Sequence, residues 1–485
     1  MRHGHSFFSS ASRRARARRR TLSLVAATSA LGVFALLSPA CGSSEGTGAT
    51  TGGGDLDATT DGNNPFASGD GGKGPCQGLE CAVAKCTGGG STTISGTVFA
   101  PNGTLPLYNA VVYVPNAPLA PIPEGASCDR CGDVSGSPVA ATLTDTNGKF
   151  TLKNVPSGKD IPLVVQVGKW RRELKIPQVS DCVDHPVAKA DTRLPKNQSE
   201  GHIPKIAVTT GQCDHLACLL PKLGLDASEY TTNTGAGRLH LYRGATHESV
   251  PAPAPTGTPD AMTLWGSVDT LKTYDMVMFS CECGEHNETK PNSAKTALYE
   301  YAKLGGRVFT SHYHYTWFQN SPIPELTSLA EWAGDGKAKS GSELPFLVDQ
   351  TFPKGQALAE WLVNVAASSK KGEMPINQPR EDVVGVKAGT TRWVYNKPFA
   401  GDPETTKYLS FNAPVGAPIE TQCGKVVFGD MHITGAPTTT LPDNSFPASC
   451  PPTLTPEEKA LIFLFFDLAS CVQKEEEPPK PPVIR

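Results

Sequence analysis

Residues 274–287 read YDMVMFSCECGEHN, an apolar run that ends on two cysteines, two glutamates and a histidine. Met276, Val277, Met278 and Phe279 are apolar without alternation, the pattern of a strand buried on both faces. A strand of this kind predicts a mainly parallel sheet covered by helices. In such sheets ligands gather beyond the carboxyl ends of the strands, which is where Cys281, Cys283, Glu285 and His286 fall.

The same reading extends outward. "IPKIAVTTG" from Ile203 is a short apolar strand, and "CDHLACLLPKLGL" is a helix with Leu216, Leu219, Leu220 and Leu223 on one face. "SAKTALYEYAKLGG" is a helix capped by Ser293 and closed by Gly305, and "RVFTSHYHY" is a third strand. "TRWVYN", "KYLSFNAP" and "KVVFGDMHI" follow, and the last helix opens on a capping box of Thr455 and Glu458. Residues 203–473 therefore predict an α/β domain with a mainly parallel sheet, flavodoxin-like or amidotransferase-like. Its strand ends deliver Thr209, Thr210, Cys213, Asp214 and His215, then the 281–286 group, then His312, His314 and Tyr315, then Asp430 and His432. Strand alternation places Cys281 with Cys283, His312 with His314, and Asp430 with His432, each pair on one face.

Upstream, "TTISGTVFAPNGTLPLYNAVVYVPN" and "VAATLTDTNGKFTLKNVPSGKDIPLVVQVGKW" alternate apolar and polar residues around Asn-Gly and Ser-Gly turns. Residues 76–196 therefore predict an all-β sandwich, making the protein multidomain. Cys76, Cys81, Cys86, Cys128, Cys131 and Cys182 lie in or beside it and predict three disulfides within the module. "GKWRRELK", residues 168–175, reads as an exposed strand face.

The N-terminus reads as an export signal over 1–40: six arginines between Arg13 and Arg20, then the apolar "TLSLVAATSALGVFALLSPAC". "LLSPAC" resembles the lipobox of bacterial lipoproteins. The resemblance implies a lipidated Cys41 and a membrane-anchored, extracytoplasmic protein of the cell envelope; the alternative is a secretory signal cut near Ala40. Residues 41–75 have almost no large apolar side chain and predict a disordered tether, and 474–485 a disordered tail. A net charge of −3 without a basic stripe argues against nucleic acid as a partner. Fourteen cysteines suit an oxidising compartment. With Cys41 lipidated an odd number remains, so one thiol is free, metal-bound or joined to another molecule.

Two further resemblances bear on function. Gly96, Pro106, Ala110, Val111, Thr144, Gly148, Phe150 and Val155 make residues 92–177 resemble the carboxypeptidase regulatory-like family, which implies a transthyretin-like, non-catalytic accessory module. Residues 203–320 with "VVFGDMHITG" resemble the class I glutamine amidotransferase-like superfamily and, within it, the ThuA-like group. That superfamily's nucleophile elbow is Gly-x-Cys-x-Gly with a later His-x-Glu; around Cys283, Cys281 stands at the first glycine, and Thr434 at the glutamate.

Three chemistries remain open at the strand ends. Cys213 or Cys218 pairs with Cys281 or Cys283, and Cys450 with Cys471 or Cys423, as disulfides. His312, His314 and His432, completed by Asp430 or a thiolate, hold a divalent metal as cofactor. Or Cys283 is a catalytic nucleophile with His432 or His312 as base. The aromatic setting of Tyr313, Tyr315 and Trp317 equally suits histidines packed and satisfied in a core. The expected role is extracytoplasmic binding of a polysaccharide, peptide or partner protein, with a hydrolase or amidotransferase-like enzyme as the alternative.

Overall fold

The computed structural model describes residues 76–132, 134–245, 256–334, 345–396, 404–433 and 450–484. The export signal, Cys41 and the tether fall outside the described residues, as does Thr434.

Seven strands build the sandwich: β1 (Thr93–Thr97), β2 (Val111–Pro115), β3 (Pro138–Leu143), β4 (Lys149–Lys153), β5 (Gly158–Val167), β6 (Trp170–Val179) and β7 (Asp184–Pro186). They form two sheets, β4-β1-β7 and β3-β2-β5-β6. Ile94, Phe150 and Leu152 of the first share a core with Val112, Val114, Leu163 and Val165 of the second, as the alternating pattern requires.

The α/β region carries β8 (Ile206–Thr209), β9 (Tyr230–Thr231), β10 (Leu239–Tyr242), β11 (Met276–Phe279), β12 (Arg307–Ser311), β13 (Ala330–Trp332), β14 (Phe346–Val348), β15 (Glu373–Met374), β16 (Val383–Val386), β17 (Thr391–Asn396), β18 (Thr405–Ala413) and β19 (Gly424–Gly429). Ten of them form one sheet in the order β15-β14-β17-β18-β19-β12-β11-β8-β10-β9. The half from β19 to β9 is parallel, and every residue of β11 is buried. The other half is antiparallel, which corrects the expectation of a mainly parallel sheet. Only ten residues separate β18 from β19, too few for a helical crossover, so the chain returns antiparallel. From β8 the chain passes to β10 on one side and then to β11 on the other, so the strand order reverses beside β8. That reversal, beyond the carboxyl ends of β8 and β11, is the place where open α/β sheets bind ligands.

The two regions share one hydrophobic core. The helix Pro456–Ala469 packs on β12 and β19, and its other side meets the sandwich. Trp170 lies edge-on to Phe465 and Phe466, and Tyr108 stacks on Phe463 at 5.7 Å. A helix covered on both sides has no use for a polar face, which explains "ALIFLFF". Its capping box of Thr455 and Glu458 is formed. The helix Asn292–Lys303 starts one residue ahead of Ser293, with Pro291 at its N-cap.

The cysteines correct the expected pairing. Cys76–Cys81 and Cys86–Cys182 stay within the sandwich and its leading segment. Cys128 bonds Cys423 and Cys131 bonds Cys471, so these two do not staple the sandwich to itself. The physical reason is the course of the 117–138 insertion, which lies against the α/β region: the Ala126 amide donates to the Lys272 carbonyl at 2.9 Å. Gly305, at φ +107°, faces the same insertion, and a β-carbon there would stand 2.0 Å from the Ser127 carbonyl oxygen. Cys450 pairs with Cys218 and not with Cys471 or Cys423. The start of the expected tail is also tied down, because Glu475 is buried in an ion-pair cluster.

Candidate functional site

Two residues beyond β11, Cys281 lies at this reversal of strand order and is fully buried. Close approach of the β8 end makes this possible: a β-carbon on Gly211 would stand 2.3 Å from the Cys281 carbonyl oxygen, and the Cys213 amide donates to that oxygen at 3.2 Å. Cys213 bonds Cys283, leaving Cys281 as the free cysteine among the described residues. Of the two sulfurs open to pairing with Cys213, Cys283 is the one bonded, which removes it as the expected nucleophile, and Cys281 is the leftover thiol.

β12 stops at Ser311, and residues His312–Tyr315 wind into a tight 3₁₀ turn. The extended alternation expected through "HYHY" is lost, so His312 and His314 do not share a face. His312 opens the turn at φ +41° and lays Nδ1 3.2 Å from Cys281 Sγ. His314 is buried elsewhere: Nε2 donates to the Ser280 carbonyl at 2.8 Å, and Nδ1 accepts from Trp317 Nε1 at 2.9 Å. With both nitrogens satisfied it has no lone pair for a metal, the packed-core outcome.

His432 comes from the segment after β19. Its Nε2 lies 3.5 Å from Cys281 Sγ and 3.0 Å from His312 Nδ1. Asp430, two residues earlier, faces away from this group. Its Oδ2 accepts the backbone amides of Asp382 at 2.9 Å and Val383 at 3.3 Å, so it anchors a loop and is not a ligand. That loop, "INQPRED" at residues 376–382, was missed as a source of site residues. Its Gln378 amide lies 3.0 Å from His432 Nδ1, Arg380 donates to the same nitrogen at 2.9 Å, and Asp382 Oδ2 is 3.5 Å from His312 Nε2. Its one sequence signal is a dense polar run between two strands; the bridge between Pro379 and Met431 that docks it is a tertiary event.

The cluster is dry and carries little charge. Burial pushes the Cys281 thiol up to about 12, although the backbone amides of Tyr313 and Cys283 point at the sulfur. Burial and the Arg380 guanidinium bring His432 down to about 3. Burial, then His432 and Arg380, hold His312 well below the ordinary imidazole range. Burial and the neighbouring Asp382 carboxylate hold Asp430 well above the usual carboxylate range. At neutral pH the centre is thus a thiol facing two neutral imidazoles. Arginine only donates, so its bond to His432 Nδ1 puts the neutral ring's proton on Nε2, aimed at His312 Nδ1. Cys283 at φ +64° and His286 at φ +45° add two further left-handed residues beside the cluster, the kind of backbone strain that gathers at functional sites.

Three donor atoms therefore converge: Cys281 Sγ, His312 Nδ1 and His432 Nε2, 3.0 to 3.5 Å apart. Ligands on a tetrahedral zinc-type ion, bound at about 2.0–2.3 Å, stand about 3.3–3.6 Å from one another. The observed triangle is that face with slight contraction. His312 also sits as ligating histidines do, with its second nitrogen turned toward a carboxylate.

No family model and no curated protein matches the chain. Among solved structures it is similar to a ThuA-like protein from Bacteroides uniformis at 11% identity, covering 54% of this chain and 89% of that one with a TM-score of 0.26. It is also similar to a type II cohesin–X-dockerin complex chain from Acetivibrio cellulolyticus at 17% identity, covering 30% of this chain and 78% of that one with a TM-score of 0.15. A second interface mutant of that complex matches at 18% identity and a TM-score of 0.14.

Proposed function

We propose that this is an extracytoplasmic metalloprotein of the cell envelope, its α/β region holding a zinc-type ion on Cys281, His312 and His432. The convergence of those three donors carries the reading. The six disulfides support the oxidising location. A lipid on Cys41 and the tether behind it would place the module beside a membrane.

Each residue has a part. Cys281 supplies a thiolate, whose proton is displaced on loading, and the amides of Tyr313 and Cys283 stabilise the negative sulfur. Asp382, 3.5 Å from His312 Nε2, would favour the tautomer with its proton on Nε2 and so leave the Nδ1 lone pair for the ion. To present Nε2, His432 would have to move its proton to Nδ1, facing the Gln378 side-chain oxygen, and Arg380 would have to release that nitrogen. An ion held by Cys281, His312 and His432 would supply Lewis-acid chemistry of the hydrolytic kind. The sandwich serves as the accessory module that docks to a polysaccharide, peptide or partner protein.

The arrangement Cys281–His312–Asp382 favours a second reading, a thiol nucleophile with its base and orienting carboxylate. Metal analysis separates the two. The full exported protein, purified without chelator or histidine tag, is expected to hold about one zinc per chain and to lose it in His312→Ala. Cobalt loading is expected to add a thiolate charge-transfer band that Cys281→Ser abolishes. A protein that neither carries nor takes up either ion, yet is labelled by an electrophile at Cys281, leaves the thiol reading in place.

A further inference from the structure

We propose that Cys281 exchanges with the neighbouring disulfide, so that Cys213 changes partner between Cys283 and Cys281 within the folded protein. The inference does not rest on the metal. Cys281 is the free cysteine among the described residues, and the sulfur of Cys213 lies within 4.8 Å of its sulfur. The main chains already run side by side where the new bond would form, joined by the Cys213 amide and the Cys281 carbonyl at 3.2 Å. A disulfide needs that kind of backbone proximity, and the motif "CEC" adds only one residue between the competing partners. Cys283, the sulfur that would leave, is partly exposed and sits in left-handed backbone at φ +64°, so it departs toward solvent and from a strained position.

The step balances. The Cys281 thiol gives its proton to hydroxide from solvent at the alkaline pH of the test. Its sulfur attacks Cys213 Sγ, the Cys213–Cys283 bond breaks, and the electron pair leaves on Cys283. The Cys283 thiolate then takes a proton from water, which restores the hydroxide. One disulfide and one thiol enter and leave, with no external oxidant or reductant. The result moves a reactive thiol from a buried position to a partly exposed one, where a thiol-bearing or electrophilic partner can reach it.

The test is disulfide mapping of the full exported protein, kept native with EDTA and excess N-ethylmaleimide at pH 8. Cleavage after Glu282 separates Cys281 from Cys283 for mass spectrometry. The expected product carries maleimide on Cys283 and a Cys213–Cys281 bond. Maleimide on Cys281 with Cys213–Cys283 intact overturns the proposal, as does an unlabelled native protein whose Cys281 labels once denatured. As a second arm, Cys283→Ser is expected to be exported with Cys213 joined to Cys281; two free thiols in that variant also overturn the exchange. A parallel sample without EDTA, given zinc before the maleimide, distinguishes the two readings. Suppressed labelling at Cys283 means the same thiol serves both, and unchanged labelling keeps the exchange while removing the metal.

Discussion

β19 has buried polar groups at both ends, and the two ends solve the problem in opposite ways. Near its amino end, Lys425 meets Asp467 at 2.8 Å and Glu475 at 2.5 Å, while Lys354 meets the same two carboxylates at 2.8 and 3.0 Å. Two cations and two anions close a ring. Burial alone would raise Asp467, but Lys354 and Lys425 hold it well below the carboxylate range, and against burial the two carboxylates hold Lys354 above the usual lysine range. Past the carboxyl end, Cys281, His312 and His432 are just as buried but have no matching set of opposite charges. There the thiol keeps its proton and the imidazoles stay neutral. A complete ring of charge is closed to further partners, whereas neutral donors around one point can still receive a cation.

The sharpest way to break this comparison is to open the ring. Asp467→Ala leaves two buried lysines facing one carboxylate and is expected to cost about 3–5 kcal/mol in urea unfolding, the loss seen when one partner of a buried pair is removed. In whatever fraction stays folded, metal stoichiometry at the other end is expected to be unchanged. A loss below about 1 kcal/mol would place these charges with weak surface pairs and remove the contrast between the ends.

The next effect is at the histidine end. Asp382→Asn keeps the shape at His312 Nε2 but removes the carboxylate that fixes its tautomer. It is expected to weaken zinc binding about 10–100-fold, read by competition with a chromophoric chelator. Unchanged affinity would mean that the 3.5 Å contact does not orient the ring and that His312 is positioned by the turn alone.

How far these ends were legible in the sequence differs for physical reasons. The strand ends were legible, because strands such as β11 announce themselves by continuous apolar residues. Cys281, His312 and His432 were each placed there from strand reading alone. What failed was orientation. Alternation holds only while backbone stays extended, and β12 ends at Ser311, so His312 and His314 part company within a 3₁₀ turn. Which of Cys281 and Cys283 pairs stayed open because a CxC spacing does not say which sulfur faces the neighbouring strand. The "INQPRED" loop and the charged ring were not legible at all. Both are assembled from residues far apart in the chain, and Glu475 lies in a run whose charge and prolines read as solvated.

The smallest effect separates the ends by pH. A histidine kept neutral in the fold but free to protonate at about 6.5 when unfolded makes the unfolded state bind more protons, so stability falls as pH drops below that value. Burial holds His314 well below the ordinary imidazole range, so the loss runs through this pH range and continues below it. Between pH 6 and pH 5 it accounts for about 1.2 kcal/mol of lost stability. Asp467 behaves otherwise: its depressed value stabilises the fold above about 3.8 and is lost only below it, so the charged ring is flat across the window. Asp430, pushed up, contributes with the opposite sign to the histidines, which is why a difference between variants is the right measurement. His314→Gln is expected to lower stability at every pH, since it disturbs bonds to Ser280 and Trp317, yet to flatten the slope between pH 6 and 5 by about 1.2 kcal/mol. An unflattened slope would show that His314 takes up its proton while still folded, and would require the turn after β12 to open to water at mildly acidic pH.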